Sequence, residues 1–389
     1  MVLPKIKEII NTIKFAKRAF TKGGFRHVTN YVSGLISSAK KTVKKIAQEC
    51  IDEKHQSALN RVLNEAKFEK EELEKRYLKK IKYMFKNSKV FLIIDDTLVE
   101  RNGKKVEETQ SHYNHNSSDY LMGHQFFTAI LYTPFLQLPL FPELYSKNTD
   151  SKIEMARSLV EKLNTASIKI DTVLFDSWYS EKELIEECIG IDARVICSIK
   201  ANRKIRIKGE WFWRSLSFVS ERVNSQRLIK LLIGDEEYKI WSSEVKLNHL
   251  PFVKLLVSQE YNKKEKTWNK AHLISTNLND SLEEVICTYK IRWYIETYHR
   301  DIKQNLGFAK VFLRKKEGIV RHAMLVSIAY AVLSLIMFRS GKSMTIGNCC
   351  EYLRDKSNVK LIRGIVEIED KPDRINRFEE VFISKSEKV

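Results

Sequence analysis

The chain predicts a mixed α/β protein, and three observations carry that prediction. Two short apolar runs, residues 90–96 and 172–176, each end in acids and have the length and continuity of buried strands. Helix-patterned segments flank them, and residues from about 201 to 270 alternate with the period of exposed-edge strands. At 389 residues and 43% hydrophobic composition, the chain is globular, with room for two or three domains.

Taken in order, residues 1–88 read as a helical basic region with one Pro and few Gly, and most of the excess positive charge lies there. Within it, 57–85 reads as one long charged helix with Leu59, Val62, Leu63, Ala66, Leu73 and Leu78 towards a core, and the Lys-rich stretch 39–46 as a surface for DNA. At Lys89 the composition changes to Val-Phe-Leu-Ile-Ile-Asp-Asp-Thr, a central strand ending in Asp95 and Asp96, where sheet enzymes place their sites. Residues 123–132 and 135–140 predict two further strands, and 151–164 a helix with Ile153, Ala156, Leu159, Val160 and Leu163 on one side. The run 172–176 delivers Asp176, followed by a helix whose cap is read as Ser180 with Glu183 three residues on. Strands are then expected at 204–208, 228–233, 237–241 and 252–257, with 194–200 and 271–277 joining the central sheet.

The formal charge of +19 and a pI near 9.4 favour a polyanionic partner, nucleic acid before a membrane surface. The six cysteines have no Cys-x-x-Cys pair and no zinc-type His spacing, so reduced thiols and a cytoplasmic setting are expected. The N-terminus lacks the apolar core and cleavage site of a signal peptide. The apolar run 323–338 is short for a membrane span and reads as a buried core helix. His112, His115, His124 and Asp119 are spaced irregularly for a metal and read as structural or DNA-facing. No Gly-x-Ser-x-Gly elbow occurs, and Gly341-Lys342-Ser343 lacks the upstream Gly of a phosphate loop, so no nucleotide cofactor is expected.

The richest stretch is Tyr-Lys-Ile-Arg-Trp-Tyr-Ile-Glu-Thr-Tyr-His-Arg-Asp-Ile-Lys, in which Tyr289, Arg292, Glu296 and Lys303 have helical offsets. At about 100° per residue they fall within roughly a 60° arc. Thr288, Ile291, Ile295, Tyr298, Ile302 and Leu306 form the opposite, mostly apolar stripe. One anchored helix thus presents a carboxylate between cations, which suits a metal-binding acid beside a phosphate backbone. Asp95, Asp176 and Glu296 together are the hard oxygen ligands two divalent ions need for in-line attack on a phosphodiester, although a lone Asp at a strand end is more often a cap.

These residues resemble the insertion-sequence DDE transposases of the Y-R-E-K class, whose signature spacing is met by Tyr289, Arg292, Glu296 and Lys303 without a gap. Asp95-Asp96-Thr97, and Asp176 with nearby Tyr179, fit the family's two strand motifs in the right order. The resemblance covers roughly residues 25–340. It implies an RNase H-like mixed sheet flanked by helices, interrupted by a β-rich insertion at about 201–270, with a helical basic N-terminal domain. The domains expected are 1–88 for DNA binding, 89–345 for catalysis, and 346–389 as a C-terminal helical element or tail.

The resemblance also implies the chemistry and partners. Asp95, Asp176 and Glu296 bind Mg²⁺, with Mn²⁺ able to substitute; Asp95 is preferred over Asp96 by the Asp-x-Thr pattern. Arg292 and Lys303 hold phosphates, and Tyr289 contacts the terminal phosphate. Trp211 or Trp213 receives a flipped base, although a Trp in a β-rich region is more often core. The partners are double-stranded DNA, as inverted repeats and target, and a second copy of the chain in a homodimer. Two other readings share these residues: a catalytically silent DNA-binding descendant, and a structure-specific nuclease on the same core.

Overall fold

The computed structural model describes residues 6–50, 56–65, 69–101, 103, 105–114, 119–247, 250–262, 267–367 and 372. Five helices precede the first strand: α1 (Lys7–Ile13), α2 (Lys22–Ser37), α3 (Val43–Glu49), α4 (Gln56–Asn64) and α5 (Lys70–Phe85), with a 3-10 turn at Lys14–Ala19. Thr21 and Thr42 cap α2 and α3 through their hydroxyls, which satisfy amide groups that the first helical turn leaves unpaired. The single helix expected over 57–85 is two. Leu59, Val62 and Leu63 of α4 and Leu73 and Leu78 of α5 are buried as expected, and Ala66 lies outside the described residues. The Glu69 amide donates to the Ala19 carbonyl, so tertiary pairing sets where α5 begins.

The DNA-facing reading of 39–46 is corrected at Lys41. Its side chain is buried, Nζ donates to the Ile36 carbonyl at 3.0 Å, and burial pushes its pKa down to about 8. Lys40 and Lys44 remain exposed.

The strands are β1 (Phe91–Glu100), β2 (Gln110–Asn114), β3 (Asp119–Thr133), β4 (Leu136–Pro139), β5 (Glu143–Tyr145), β6 (Thr172–Phe175), β7 (Arg194–Ser198), β8 (Lys204–Ile207), β9 (Arg214–Ser215), β10 (Ile229–Ile233), β11 (Glu236–Leu247), β12 (Phe252–Asn262) and β13 (Thr267–Ser275). Among the described residues they form one mixed sheet, ordered β2-β3-β1-β6-β7-β13-β12-β11-β8-β9, with β10 beside β11 and with β4 and β5 beside β3. β1, β6 and β7 run parallel, while the neighbours on both sides are antiparallel. Helices α6 (Lys152–Thr165) and α7 (Lys182–Gly190) follow β5 and β6. This is the arrangement of an RNase H-like core: an antiparallel meander that hands over to parallel strands at β1. The segment between β7 and β13 does not form a separate layer. Its long strands β11 and β12 extend the same sheet, and β13 brings the chain back beside β7 through Leu273, Ile274 and Ser275.

Two local expectations change. β1 does not end at its two acids; it continues to Glu100 because β3 pairs with it throughout, whereas β6 accompanies it only from Phe91 to Ile93. The expected cap at Ser180 is absent: α7 starts two residues later, and the Ser180 hydroxyl donates to the Ser177 carbonyl instead. A reciprocal capping box does occur, at Ser151 and Glu154, opening α6.

The remaining helices are α8 (Leu216–Glu221), α9 (Leu282–Lys290), α10 (Trp293–Gln304), α11 (Lys316–Ser340) and α12 (Ile346–Val366). The apolar run 323–338 lies inside α11, which is long and apolar enough to cross a membrane yet has 83% of its apolar window buried within the protein. It packs on β4 and on α1, α2, α4 and α12, so the N-terminal helices and the sheet share its surface as a core.

Gly307 ends the segment after α10 with φ of 74°, and a Cβ there would stand 2.3 Å from the Lys41 Cβ. Gly307→Ala combines a left-handed backbone with a side-chain overlap, for a loss of about 2–4 kcal/mol. Chemical denaturation should show it as a lower midpoint; an unchanged midpoint would mean that the α10 to N-terminal contact can relax at no cost.

Candidate active site

Strand register brings the first two acids together. β1 and β6 are paired at Ile93 and Leu174, and two residues further the same register sets Asp95 beside Asp176. Both then lie where β6 has ended, at the carboxyl end of the parallel strands, the usual position for a site in such a sheet. Asp176 Oδ1 accepts the Trp178 amide at 2.9 Å, which folds the chain into a tight turn. Asp95 Oδ1 accepts the Asp96 amide at 2.8 Å.

Glu296 arrives from α10. The helix carrying the Tyr-Arg-Glu-Lys set is broken where one helix was expected: α9 stops at Lys290 and α10 begins at Trp293. Four bonds reach back three residues, from the amides of Ile291, Arg292, Tyr294 and Ile295, so the joint is wound more tightly than an α-helix. The apolar stripe holds nonetheless. Thr288, Ile295, Tyr298, Ile302 and Leu306 are buried and Ile291 is half-buried.

Arg292 stands between two of the acids. Its Nη2 donates to Glu296 Oε1 at 2.6 Å and its Nη1 lies 3.8 Å from Asp95 Oδ2. Burial opposes its charge, but Tyr289, Glu296 and Asp95 outweigh that and hold it more basic than usual. Lys303 also feels Asp95, although burial leaves it less basic than a free lysine. Tyr289 is tied to Ser198 of β7, and burial raises its hydroxyl pKa.

Asp95 is the strained member. Burial first, then Asp96 and Asp176, push its carboxyl up to about 7, against the Asp96 amide and Arg292, which favour the charged form. Asp96 has partners of its own. Lys152, the first residue of α6, forms an ion pair with it, and Gln125 donates to the same oxygen. The Lys152 ammonium also lies 3.9 Å from the centre of the Trp178 ring.

Residues that the sequence did not single out support this cluster. The Thr128 hydroxyl donates to the Asp95 carbonyl at 3.0 Å and is 2.7 Å from His299 Nε2. Because that hydroxyl has one proton, His299 supplies the other bond from Nε2–H. Burial, with Lys303 and Arg292 nearby, pushes the His299 pKa down to about 3, so the ring is neutral. α10 and β1 are thereby locked through one threonine. His299 lies three residues after Glu296, and that spacing was the available signal; Thr128 and Gln125 on β3 had none.

Trp211 and Trp213 lie elsewhere, between β8 and β9, and they are not core: Trp211 is 87% exposed, Phe212 70% and Trp213 41%. Arg206 is 5.6 Å from the Trp213 ring centre. His112 and His124 are buried, His124 bonds to the Glu107 carbonyl, and His115 lies outside the described residues.

The parallel-strand end bearing paired aspartates, faced by a helix with a glutamate and two cations, lies within an RNase H-like core. The chain belongs to the DDE transposase family, since residues 86–332 match the Transposase DDE domain. It is also 25% identical over 316 residues to a probable transposase for insertion sequence element IS701 from Microchaete diplosiphon, an alignment covering 75% of this chain and 76% of that protein.

The family generally uses divalent metals. Among the described residues, no three His, Cys, Asp or Glu side chains stand gathered as a ready ligand set, and Arg292 is placed between Glu296 and Asp95. The donor chemistry nevertheless fits a hard cation. Half-buried carboxylates that repel one another, with one acid forced towards its protonated form, are what a divalent ion would relieve.

Proposed function

We propose that this transposase binds the terminal inverted repeats of its insertion sequence, cuts the DNA at the element's ends and joins those ends to target DNA, as a homodimer that pairs two ends. The observation carrying the reading is the register that sets Asp95 beside Asp176, with Glu296 and Lys303 on α10 and Arg292 at its N-cap turned towards them. Asp95, Asp176 and Glu296 would hold Mg²⁺, or Mn²⁺ in its place. The bound ions would supply an activated water or 3′ hydroxyl and stabilise the leaving oxygen.

The chain's own part is positioning. Arg292 compensates the charges of Glu296 and Asp95 before substrate arrives, and a DNA phosphate competes for that guanidinium, leaving the carboxylates free. Lys303 adds a second phosphate contact, and Tyr289, fixed through Ser198, offers a third at the terminal phosphate. The helical region 1–88 is the main end-recognition surface, through exposed cations such as Lys40 and Lys44 rather than Lys41. Trp211 and Trp213, with Phe212, offer flat faces to an unpaired base, and their exposure favours that role over a core one.

The test is Mg²⁺-dependent cleavage and joining with purified protein and the DNA that flanks its gene. Cuts at paired inverted repeats together with joined products support a transposase of this kind. Cuts without joining would favour a nuclease, and binding without cuts a silent DNA-binding descendant. Lys303→Ala should weaken end binding and lower the slope of log affinity against log salt by about 0.9, one phosphate's share. A slope unchanged from wild type would remove Lys303 from the interface.

A further inference from the structure

Tyr179 is among the largest fully buried side chains, at 1% exposure, yet its hydroxyl has no hydrogen-bond partner among the described residues. The turn opened by Asp176 fixes it there. Its carbonyl accepts the Glu181 amide at 2.7 Å, the Ser180 carbonyl accepts from Arg203 at 2.7 Å, and the ring packs beside Trp178 and Phe127 with centroids 4.9 and 6.2 Å away. The charges bearing on its hydroxyl are the carboxylates of Asp96, Asp95 and Asp176.

A buried hydroxyl without a partner carries a desolvation penalty that phenylalanine would not. Protein interiors satisfy such groups, so the missing acceptor belongs to a state in which something occupies the space beside the paired Asp95 and Asp176, the turn after which holds Tyr179. What the neighbouring carboxylates of Asp95 and Asp176 would share is cationic, and its accompanying oxygens, water on a divalent ion or a phosphate oxygen, are acceptors for an O–H donor. We propose that the Tyr179 hydroxyl donates a hydrogen bond to an oxygen held with the divalent cation, making Tyr179 a further ligand-contacting residue of the site. The inference rests on the metal-dependent reading above. It assigns the hydroxyl, and not only the ring, a role at the second strand motif.

The experiment compares the full wild-type chain with Tyr179→Phe in two measurements: thermal melting without metal, and calorimetric titration with Mn²⁺. The Phe variant should melt at the same temperature as wild type or higher, because it sheds an unpaired buried hydroxyl. It should also bind Mn²⁺ about tenfold more weakly, the loss expected for one hydrogen bond to a charged assembly. Equal Mn²⁺ affinity in both proteins would overturn the inference while leaving the metal site intact. A variant that is both less stable and weaker in binding would overturn it as well, since a structural partner then explains both losses. Absence of Mn²⁺ binding by wild type itself would instead defeat the metal reading, and this inference with it.

Discussion

Glu296→Gln is expected to lower end cleavage by about a thousandfold or more while DNA binding stays within about twofold of wild type. The size follows from the several kcal/mol of transition-state charge stabilisation that a metal ligand contributes, each 1.36 kcal/mol being tenfold in rate. The substitution removes one negative charge and little else. Glutamine keeps the length of the side chain and an oxygen for the Arg292 donor that Glu296 now accepts at 2.6 Å. The residue sits in the first turn of α10, where a lost carboxylate costs only about 0.3–1 kcal/mol against the helix dipole. Arg292 and Lys303 remain to hold phosphate. The two readouts, gel-shift affinity for the element's ends and Mg²⁺-dependent strand cutting, should therefore separate. Cleavage at the wild-type rate would take Glu296 out of the site, and a collapse of binding would show that its main service is to orient Arg292.

The sequence made the components of the candidate site legible because their cues are local. A continuous apolar run followed by an acid locates Asp95 and Asp176, and helical spacing locates Glu296, Arg292 and Lys303. What was not legible depends on partners far along the chain. β1 runs past its acids because β3 offers it ten residues of antiparallel pairing, from Phe91 opposite Tyr132 to Glu100 opposite Gly123. The break between α9 and α10 involves residues with ordinary helical backbone angles, Ile291 and Arg292, so neither Gly nor Pro marks it. Lys41 reads as one of a run of surface cations, yet α2 and the segment after α10 close over it.

The supporting residues show the same limit. Thr128, Gln125 and Lys152 come from β3 and α6, and nothing in their own surroundings in the chain marks them as neighbours of Asp95 and Asp96. The Ser151–Glu154 capping box does place Lys152 at the start of α6, which fixes its position along the helix but not which carboxylate it meets. Burial of the 323–338 run was legible, whereas the full length of α11 was not, because its first turns carry Lys316, Glu317 and Arg321 and break the apolar run.

Asp95→Asn is expected to stabilise the metal-free protein at pH 8 and to lose that advantage by about pH 4. In the folded chain burial, Asp96 and Asp176 push this carboxyl up to about 7 from an ordinary value of 3.8. The folded state therefore binds the proton more tightly than the unfolded state does. Its favourable contribution is complete below about pH 4, is lost as pH rises through 7, and leaves a constant penalty above that. A shift of about three units at 1.36 kcal/mol each sets a ceiling of about 4 kcal/mol on the gain from asparagine. Other groups titrate over the same interval, so the quantity to follow is the difference in melting temperature between variant and wild type across pH. Divalent cation should act in the opposite sense. Binding at the charged carboxylate displaces the proton, so wild-type Mg²⁺ affinity should rise up to tenfold per unit below pH 7 and level off above it. Asn should lose affinity as it gains metal-free stability. A difference that stays flat from pH 4 to pH 8 would show that Asp95 is ionised throughout and that Arg292 already balances it.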